Sequence, residues 1–330
     1  MTRRITVFTS NQPRHIALIE SLASVCDEVY VVQECTTVLP GRVDDFYRKS
    51  EVMQRYFQRV IAAEAEAFGA PRFPGWNGHR ARALNDSDVG GQNARPTRVH
   101  QLALRMGDLS LLDLHTLGPA LAADLFVVFG ASYIRGPLCE LLVKRRAVNI
   151  HMGVSPYYRG SSTNFWALHD RRPGMVGATI HLLTAGLDSG PILFHALPAP
   201  EPIDPFLLGM KAVEAAHSAL VDAIATGEID SLDGVEQDKR LQYRYSRAAE
   251  FTDDVAAAYL ANPLSPGQIA YLLTQRDPAA YVRPRFARLP RVIPSRERKP
   301  VEITPDVLDF LNSVDVDLPP EVLANLRRDA

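Results

Sequence analysis

The sequence predicts an α/β fold, a mostly parallel sheet with flanking helices, followed by a smaller C-terminal region. Three observations carry this. Short apolar runs rich in β-branched residues recur through the N-terminal half, as strands buried on both faces require. The first two, residues 5–10 (ITVFTS) and 28–34 (EVYVVQE), are separated by a helical spacing of Ile16, Leu18, Ile19 and Leu22. That is a strand–helix–strand opening, which favours parallel pairing with a right-handed crossover. Finally, 46% hydrophobic and 22% charged residues are ordinary for a globular chain.

The elements follow in order. The loop after the first strand, NQPRH, lacks the GxGxxG dinucleotide fingerprint. It still opens at the carboxyl end of a strand, where such sheets receive ligands. Asn11, Arg14 and His15 read either as ligand contacts or as polar residues at a helix start. Residues 43–68 form a long expected helix whose stripe includes Phe46, Val52, Met53, Tyr56, Phe57, Val60 and Ile61. It either packs on the sheet or offers an aromatic recognition surface. The Gly-, Pro- and Arg-rich stretch 69–96 is irregular, with Arg80, Arg82 and Arg95 either solvated or facing phosphates. Further strands are expected at 124–130, 147–151 and 175–183, the last turning through TAGLDSGPI into a hairpin partner, LFHALP. An amphipathic helix covers 207–226. The texture then changes to short helices broken by Pro and Arg, which sets a catalytic domain at 1–245 and an appended region at 246–330.

Bulk properties exclude several classes. A net charge of −2 offers no electrostatic case for nucleic acid or a membrane surface. Cys26, Cys35 and Cys139 form no CxxC pair, so neither a disulfide framework nor a zinc motif is expected. No apolar run approaches the roughly 20 residues of a membrane span, and MTRRITVFTS enters a strand without a leader's apolar region. A cytoplasmic protein is expected.

The chemistry concentrates at AVNIH. On a strand, Asn149 and His151 project to the same face, at the carboxyl end where α/β sheets place their sites. One is a neutral donor able to hold an oxyanion; the other moves a proton near neutral pH. Alone, the pair reads better as a hydrogen-bonded structural Asn and a satisfied core His. Its company is SPYYRG, closely following, and Asp188 in the Gly-flanked turn GLDSGPI. A carboxylate there orients an imidazole or raises its basicity.

Residues 147–193 resemble the core of the folate-dependent formyltransferase family. The family's Asn-x-His, RG-ending turn and GLDTGPI-like turn stand here as NIHMGVSPYYRG and ATIHLLTAGLDSGPI. The wider resemblance covers roughly residues 1–200, weakly over its first half. It implies the formyltransferase fold, a Rossmann-like sheet, with 10-formyltetrahydrofolate as donor co-substrate, an amine acceptor and no metal. By position, Asn149, His151 and Asp188 are the implied catalytic trio. The implied pterin pocket lies between GASYIRGPL, with Ser132, Tyr133 and Ile134, and LLTAGLDSG, with Leu183, Ala185, Gly186 and Leu187. Tyr133 and Ile134 otherwise simply begin the next helix. Asn11, Arg14, Tyr158 and Arg159 are the candidate acceptor contacts.

Met152 departs from the family, replacing its usual Pro. In SSTNFWALHD, one of Ser161, Ser162 and Thr163 is expected to cap a helix, and Trp166 to stack on a ligand or fill the core. The alternation of His181 with Thr179 places it on the sheet's other face or at a packed position.

The acceptor is narrowed by elimination. A methionyl-tRNA enzyme is expected to add a basic β-barrel, whereas 246–330 reads as short helices. The purine-pathway enzyme is expected to carry a Gly-Ser-rich loop where TSNQPRH stands. A formyltetrahydrofolate hydrolase is expected to carry an N-terminal regulatory domain, for which a strand at residue 5 leaves no room. A small amine remains, an amino sugar and most simply a nucleotide-linked one. A methionyl-tRNA-type enzyme, a hydrolase and a non-catalytic ligand-binding relative stay as alternatives, and a homodimer is an open option.

Overall fold

The strands form because runs such as ITVF and LFVVF bury both faces at once, which only a sheet layered between helices permits. A computed structural model of the chain describes residues 3–37, 49–69 and 98–287. The elements run β1 (Arg4–Ser10), α1 (Pro13–Ala23), β2 (Glu28–Cys35), α2 (Glu51–Phe68), β3 (Arg98–Arg105), α3 (Gly118–Leu121), β4 (Leu125–Phe129) and α4 (Gly136–Lys144). They continue with β5 (Val148–His151), β6 (Tyr158–Gly160), α5 (Thr163–His169), β7 (Ala178–Leu182), β8 (Ile192–Leu197) and α6 (Pro205–Ala225). The last are β9 (Arg244–Ser246), α7 (Asp253–Ala261), α8 (Pro266–Thr274) and β10 (Arg285–Phe286).

Eight strands form one sheet in the order β10-β8-β7-β5-β4-β1-β2-β3. Pairing is parallel except that β7 runs antiparallel to both β5 and β8. The sheet is therefore mixed, mostly parallel, as expected, with the β7–β8 hairpin in place. One face packs on α1 and α6 through residues such as Leu18, Leu22, Ala216 and Leu220. The other packs on α3 and α4 through Ala120, Leu138 and Leu142. Chain order reverses between β1 and β4, and the crevice at their carboxyl ends is where such folds bind ligands.

Several expectations shift in detail. The long helix is described from Glu51, with Ser50 accepting from the Met53 amide as its cap; Phe46 and 43–48 lie outside the described residues, as do Arg80, Arg82 and Arg95. Its stripe packs inward: Tyr56 is buried against Phe165, Phe206 and Phe251. The edge strand β3 was not anticipated, because most of its side chains remain exposed and no apolar alternation marks it. Among the described residues, no side chain caps α5. Ser162 holds the cap position at φ 55° without a capping bond, and Thr163 instead donates its hydroxyl to the Met152 carbonyl.

The region expected as an appendage, 246–330, contributes its described part to the same core. Tyr259, Ile269, Leu273 and Tyr281 are buried in one cluster with Tyr56, Tyr158 and Trp166. β10 adds itself beside β8. Arg276 donates to the carbonyls of Gly174, Val176 and Pro198, tying α8 to the start of β7 and the end of β8. The chain divides at 288/289, and all described residues belong to the first unit.

Candidate active site

A cavity of about 650 Å³ opens at the carboxyl ends of β1, β4 and β5, a size suited to a cofactor-sized ligand. Asn149 and His151 both line it, as the i, i+2 geometry of β5 requires. Asp188 reaches it from the turn after β7 and lies 3.4 Å from His151 Nδ1. The structure thus brings Asp188, distant in sequence, to the Asn149–His151 pair.

The carboxylate environment is polarised. Burial alone would raise the Asp188 carboxyl, but the His151 imidazole beside it, with His181 and Arg159, holds it below the usual carboxylate value. Asp188 adopts a left-handed backbone, φ 45°, which Asp tolerates better than most residues. His151 is buried, and its Nε2 sits 3.4 Å from the Tyr158 carbonyl. Gly153 must lack a side chain, since a Cβ there would run into Thr163 and press on His151 Nε2.

The residue that sequence reasoning missed is His181. It does not point to another face: antiparallel pairing sets it opposite Asn149, just as Thr179 sits opposite His151. Its Nε2 is 2.9 Å from Asn149 Nδ2, while its Nδ1 is 2.8 Å from the Leu182 carbonyl. The carbonyl demands a proton on Nδ1, so Nε2 accepts from the Asn149 amide. Burial lowers the His181 pKa to about 4, which keeps that acceptor available at neutral pH. Only the strand direction would have revealed this pairing.

The two expected pterin loops face each other across the cavity. Ser132, Tyr133 and Ile134 line it from one side; Leu183, Gly186 and Leu187 line it from the other. Tyr133 Oη donates to the Ala185 carbonyl at 2.5 Å, bridging the loops. The Ser132 amide and hydroxyl are both held by buried Glu34, at 2.6 and 2.8 Å. A slot between two such loops, with apolar walls and backbone groups at hand, fits a flat heteroaromatic ring.

The expected acceptor contacts divide. Arg14 lines the cavity and pairs with Glu64 at 3.0 Å, and His15 lines it as well. Asn11 is buried and donates to the Thr37 carbonyl, away from the cavity lining. Tyr158 does not line it either: the side chain is fully buried, and its hydroxyl donates to Asp170, which Arg244 clamps. Arg159 sits behind the Asp188 turn, donating to the Leu187 carbonyl. Met152 lines the cavity and packs against two apolar clusters, filling the place where the family carries Pro. Trp166 is buried in the core, its ring beneath the Arg244 guanidinium.

Among the described residues, no group of three or more His, Cys, Asp or Glu could hold a metal ion, and no helix is long and apolar enough to cross a membrane.

With this geometry in view, residues 93–224 match the formyl transferase family. Over 123 residues the chain is 32% identical to a methionyl-tRNA formyltransferase of Synechococcus sp. (strain JA-3-3Ab), covering 36% of this chain and 37% of that protein. Over 74 residues it is 38% identical to a methionyl-tRNA formyltransferase of Thermosynechococcus vestitus, covering 22% of each. The matches therefore span little more than a third, or less, of these relatives' length. Among solved structures, a formyltransferase from Anoxybacillus kamchatkensis in complex with a UDP-linked formamido sugar and tetrahydrofolate is 21% identical, covers 54% of this chain and 86% of its own, and superposes with a TM-score of 0.38.

Proposed function

We propose that this protein is a formyl transferase, moving a formyl group from 10-formyltetrahydrofolate to an amine by direct attack of the amine on the formyl carbon. The observation that supports this best is the convergence of Asn149, His151 and Asp188 on one cavity, with His151 Nδ1 3.4 Å from the Asp188 carboxylate.

The donor supplies an activated formyl carbon when held between the loops of Ser132–Ile134 and Leu183–Leu187. The residues of this chain then act on charge and protons. The Asn149 amide, one N–H spent on His181, offers its other N–H to the negative charge that develops on the formyl oxygen. His151 donates Nδ1–H to Asp188, and its Nε2, only weakly engaged by the Tyr158 carbonyl at 3.4 Å, takes the proton of the attacking amine and returns it to the folate nitrogen as the carbon–nitrogen bond breaks. Asp188 keeps the imidazole in that tautomer and stabilises its charged form. One carbon–nitrogen bond forms as another breaks, the formyl carbon keeps its oxidation state, and the proton lost by the amine is the one gained by the leaving nitrogen.

For the acceptor we favour a small amino sugar, nucleotide-linked. The balanced charge of −2 and the helical character of the described residues after Ser246 support it. A methionyl-tRNA acceptor is the second reading, favoured by the names of the curated relatives that match the core. The test incubates the protein with 10-formyltetrahydrofolate and, separately, nucleotide-linked amino sugars, methionyl-tRNA or buffer, following tetrahydrofolate release. Turnover with a sugar supports the first reading and turnover with the charged tRNA the second. Donor loss in buffer alone would make the protein a hydrolase.

A further inference from the structure

The turn that carries Asp188 is gripped from behind by side chains outside the cavity lining. Its backbone carbonyls at Asp188 and Gly190 both accept from Gln237 Nε2, at 3.0 and 2.8 Å. The adjacent Leu187 carbonyl accepts from Arg159 Nη2 at 3.2 Å. We propose that Gln237 is a positioning residue for Asp188: its amide pins the turn so that the carboxylate stays within reach of His151 Nδ1. The inference rests on the reading of Asp188 as the partner of the site imidazole, and it adds a residue that no motif marks.

Three features argue for this role. Asp188 stands at φ 45°, in the left-handed region, and such a residue persists only where its surroundings over-determine it. Gln237 supplies that constraint from a rigid mount. The segment before it is clipped to the start of β8 by paired backbone bonds, Ile192 N–H to the Val235 carbonyl at 2.7 Å and Val235 N–H to the Ile192 carbonyl at 2.8 Å. The amide orientation is also fixed chemically. Both partners are carbonyls, so the group facing them must be the NH₂, the one part of glutamine that donates twice. Its Oε1 is buried without a hydrogen-bond partner among the described residues, which is what a side chain placed for its donors looks like.

Gln237 carries no charge, and this makes the proposal separable from general electrostatics. The groups facing Asp188 are His151, His181 and Arg159. Replacing Gln237 by leucine alters none of them and keeps the side chain's bulk while removing both donated bonds. Any change in Asp188 titration then reports geometry. Burial pushes the carboxyl up while the imidazole of His151 is the main group holding it down, so withdrawal from His151 leaves only the weaker pull of His181 and Arg159 against burial.

The experiment follows the Asp188 side-chain carboxyl by carbon NMR in the full chain, assigned by its loss in Asp188→Asn. In Gln237→Leu the midpoint is expected to rise by about one pH unit. A crystal structure of the same variant, in which the Asp188 Oδ2 to His151 Nδ1 separation opens past hydrogen-bond range, gives the same answer where acid unfolding intervenes. A folded variant with unchanged midpoint and unchanged separation overturns the proposal, even if its melting temperature falls, because glue alone would lower only the latter. Should the leucine variant fail to fold, Gln237→Asn is read the same way, since its shorter amide cannot span both carbonyls. Neither measurement needs a substrate, so the outcome stands apart from whether formyl transfer is the reaction.

Discussion

The imidazole of His181 accepts the side-chain amide of Asn149 across the β5–β7 pair, Nε2 to Nδ2 at 2.9 Å, with its own Nδ1–H committed to the Leu182 carbonyl. That contact turns an otherwise free amide into an oriented donor. An Asn side chain in an open cavity has two near-equivalent flips, and only one presents N–H to an oxyanion. His181→Leu is therefore expected to slow formyl transfer about tenfold, less than the 10²–10³ typical of deleting an oxyanion donor, because the amide remains but wanders. Rates from tetrahydrofolate release check this, with Asn149→Ala as the more severe reference. Equal rates for His181→Leu and the parent would remove His181 from the site.

His151 carries the proton in the proposed reaction, so its loss should be costly. His151→Ala is expected to reduce turnover by roughly 10²-fold or more, the usual weight of a general base. Asp188→Asn keeps the shape but offers an amide to Nδ1, so a loss of at least tenfold is expected there too. Single-turnover rates at saturating donor separate these effects from binding. A His151→Ala enzyme within tenfold of the parent would be incompatible with the assignment.

Glu34 is a fully buried carboxylate at the end of β2 that gathers four donors: the amides of Gly107, Leu109 and Ser132, and the Ser132 hydroxyl. It ties the loop after β3 to the loop expected to wall the pterin. Glu34→Leu leaves several buried donors without a partner and should cost about 2–4 kcal/mol of stability, read from urea unfolding. Glu34→Gln keeps one acceptor oxygen and should cost less, while both weaken tetrahydrofolate binding by loosening Ser132. Parent-like unfolding in Glu34→Leu would show the donors are satisfied elsewhere.

How much of this was legible in the sequence depends on the range of the interaction. β1, β2, β4 and β5 announce themselves through continuous apolar runs, and Asn149 and His151 share a face by strand parity alone. Asp188 was legible through its Gly-flanked turn. His181 was not, because its placement depends on β7 running antiparallel to β5, and a strand's direction leaves no trace in its own residues. The side-chain partners of Tyr158 and Arg159 were illegible for a related reason. Both residues sit in the turn that leaves the site, but their side chains are claimed by Asp170 and by the Leu187 carbonyl, partners distant in sequence. Gln237 lies in a polar segment with no pattern at all, so only the fold connects it to Asp188.

The buried histidines set how the fold should respond to acid. Burial lowers His181 and His195 to about 4 and His217 to about 3. Each would titrate near 6.5 in the unfolded chain. Between those values the unfolded state binds more protons than the native one, so acid favours unfolding. Their contribution is complete above pH 6.5 and is lost as pH falls through their folded values. Asp188 and Asp170, both held below the ordinary carboxylate value, extend the loss to still lower pH. Each proton taken up only on unfolding costs about 1.4 kcal/mol per pH unit. Urea midpoints should therefore fall steadily from pH 7 to 5, with the unfolding slope unchanged. His217 packs its ring against Phe68 and Phe129 and has no partner for its Nε2 among the described residues, so phenylalanine keeps the ring contacts without breaking a bond at that nitrogen. His217→Phe should flatten the pH dependence by about one proton's worth. Midpoints that stay constant from pH 7 to 5 in the parent would mean these rings are already solvated in the native state.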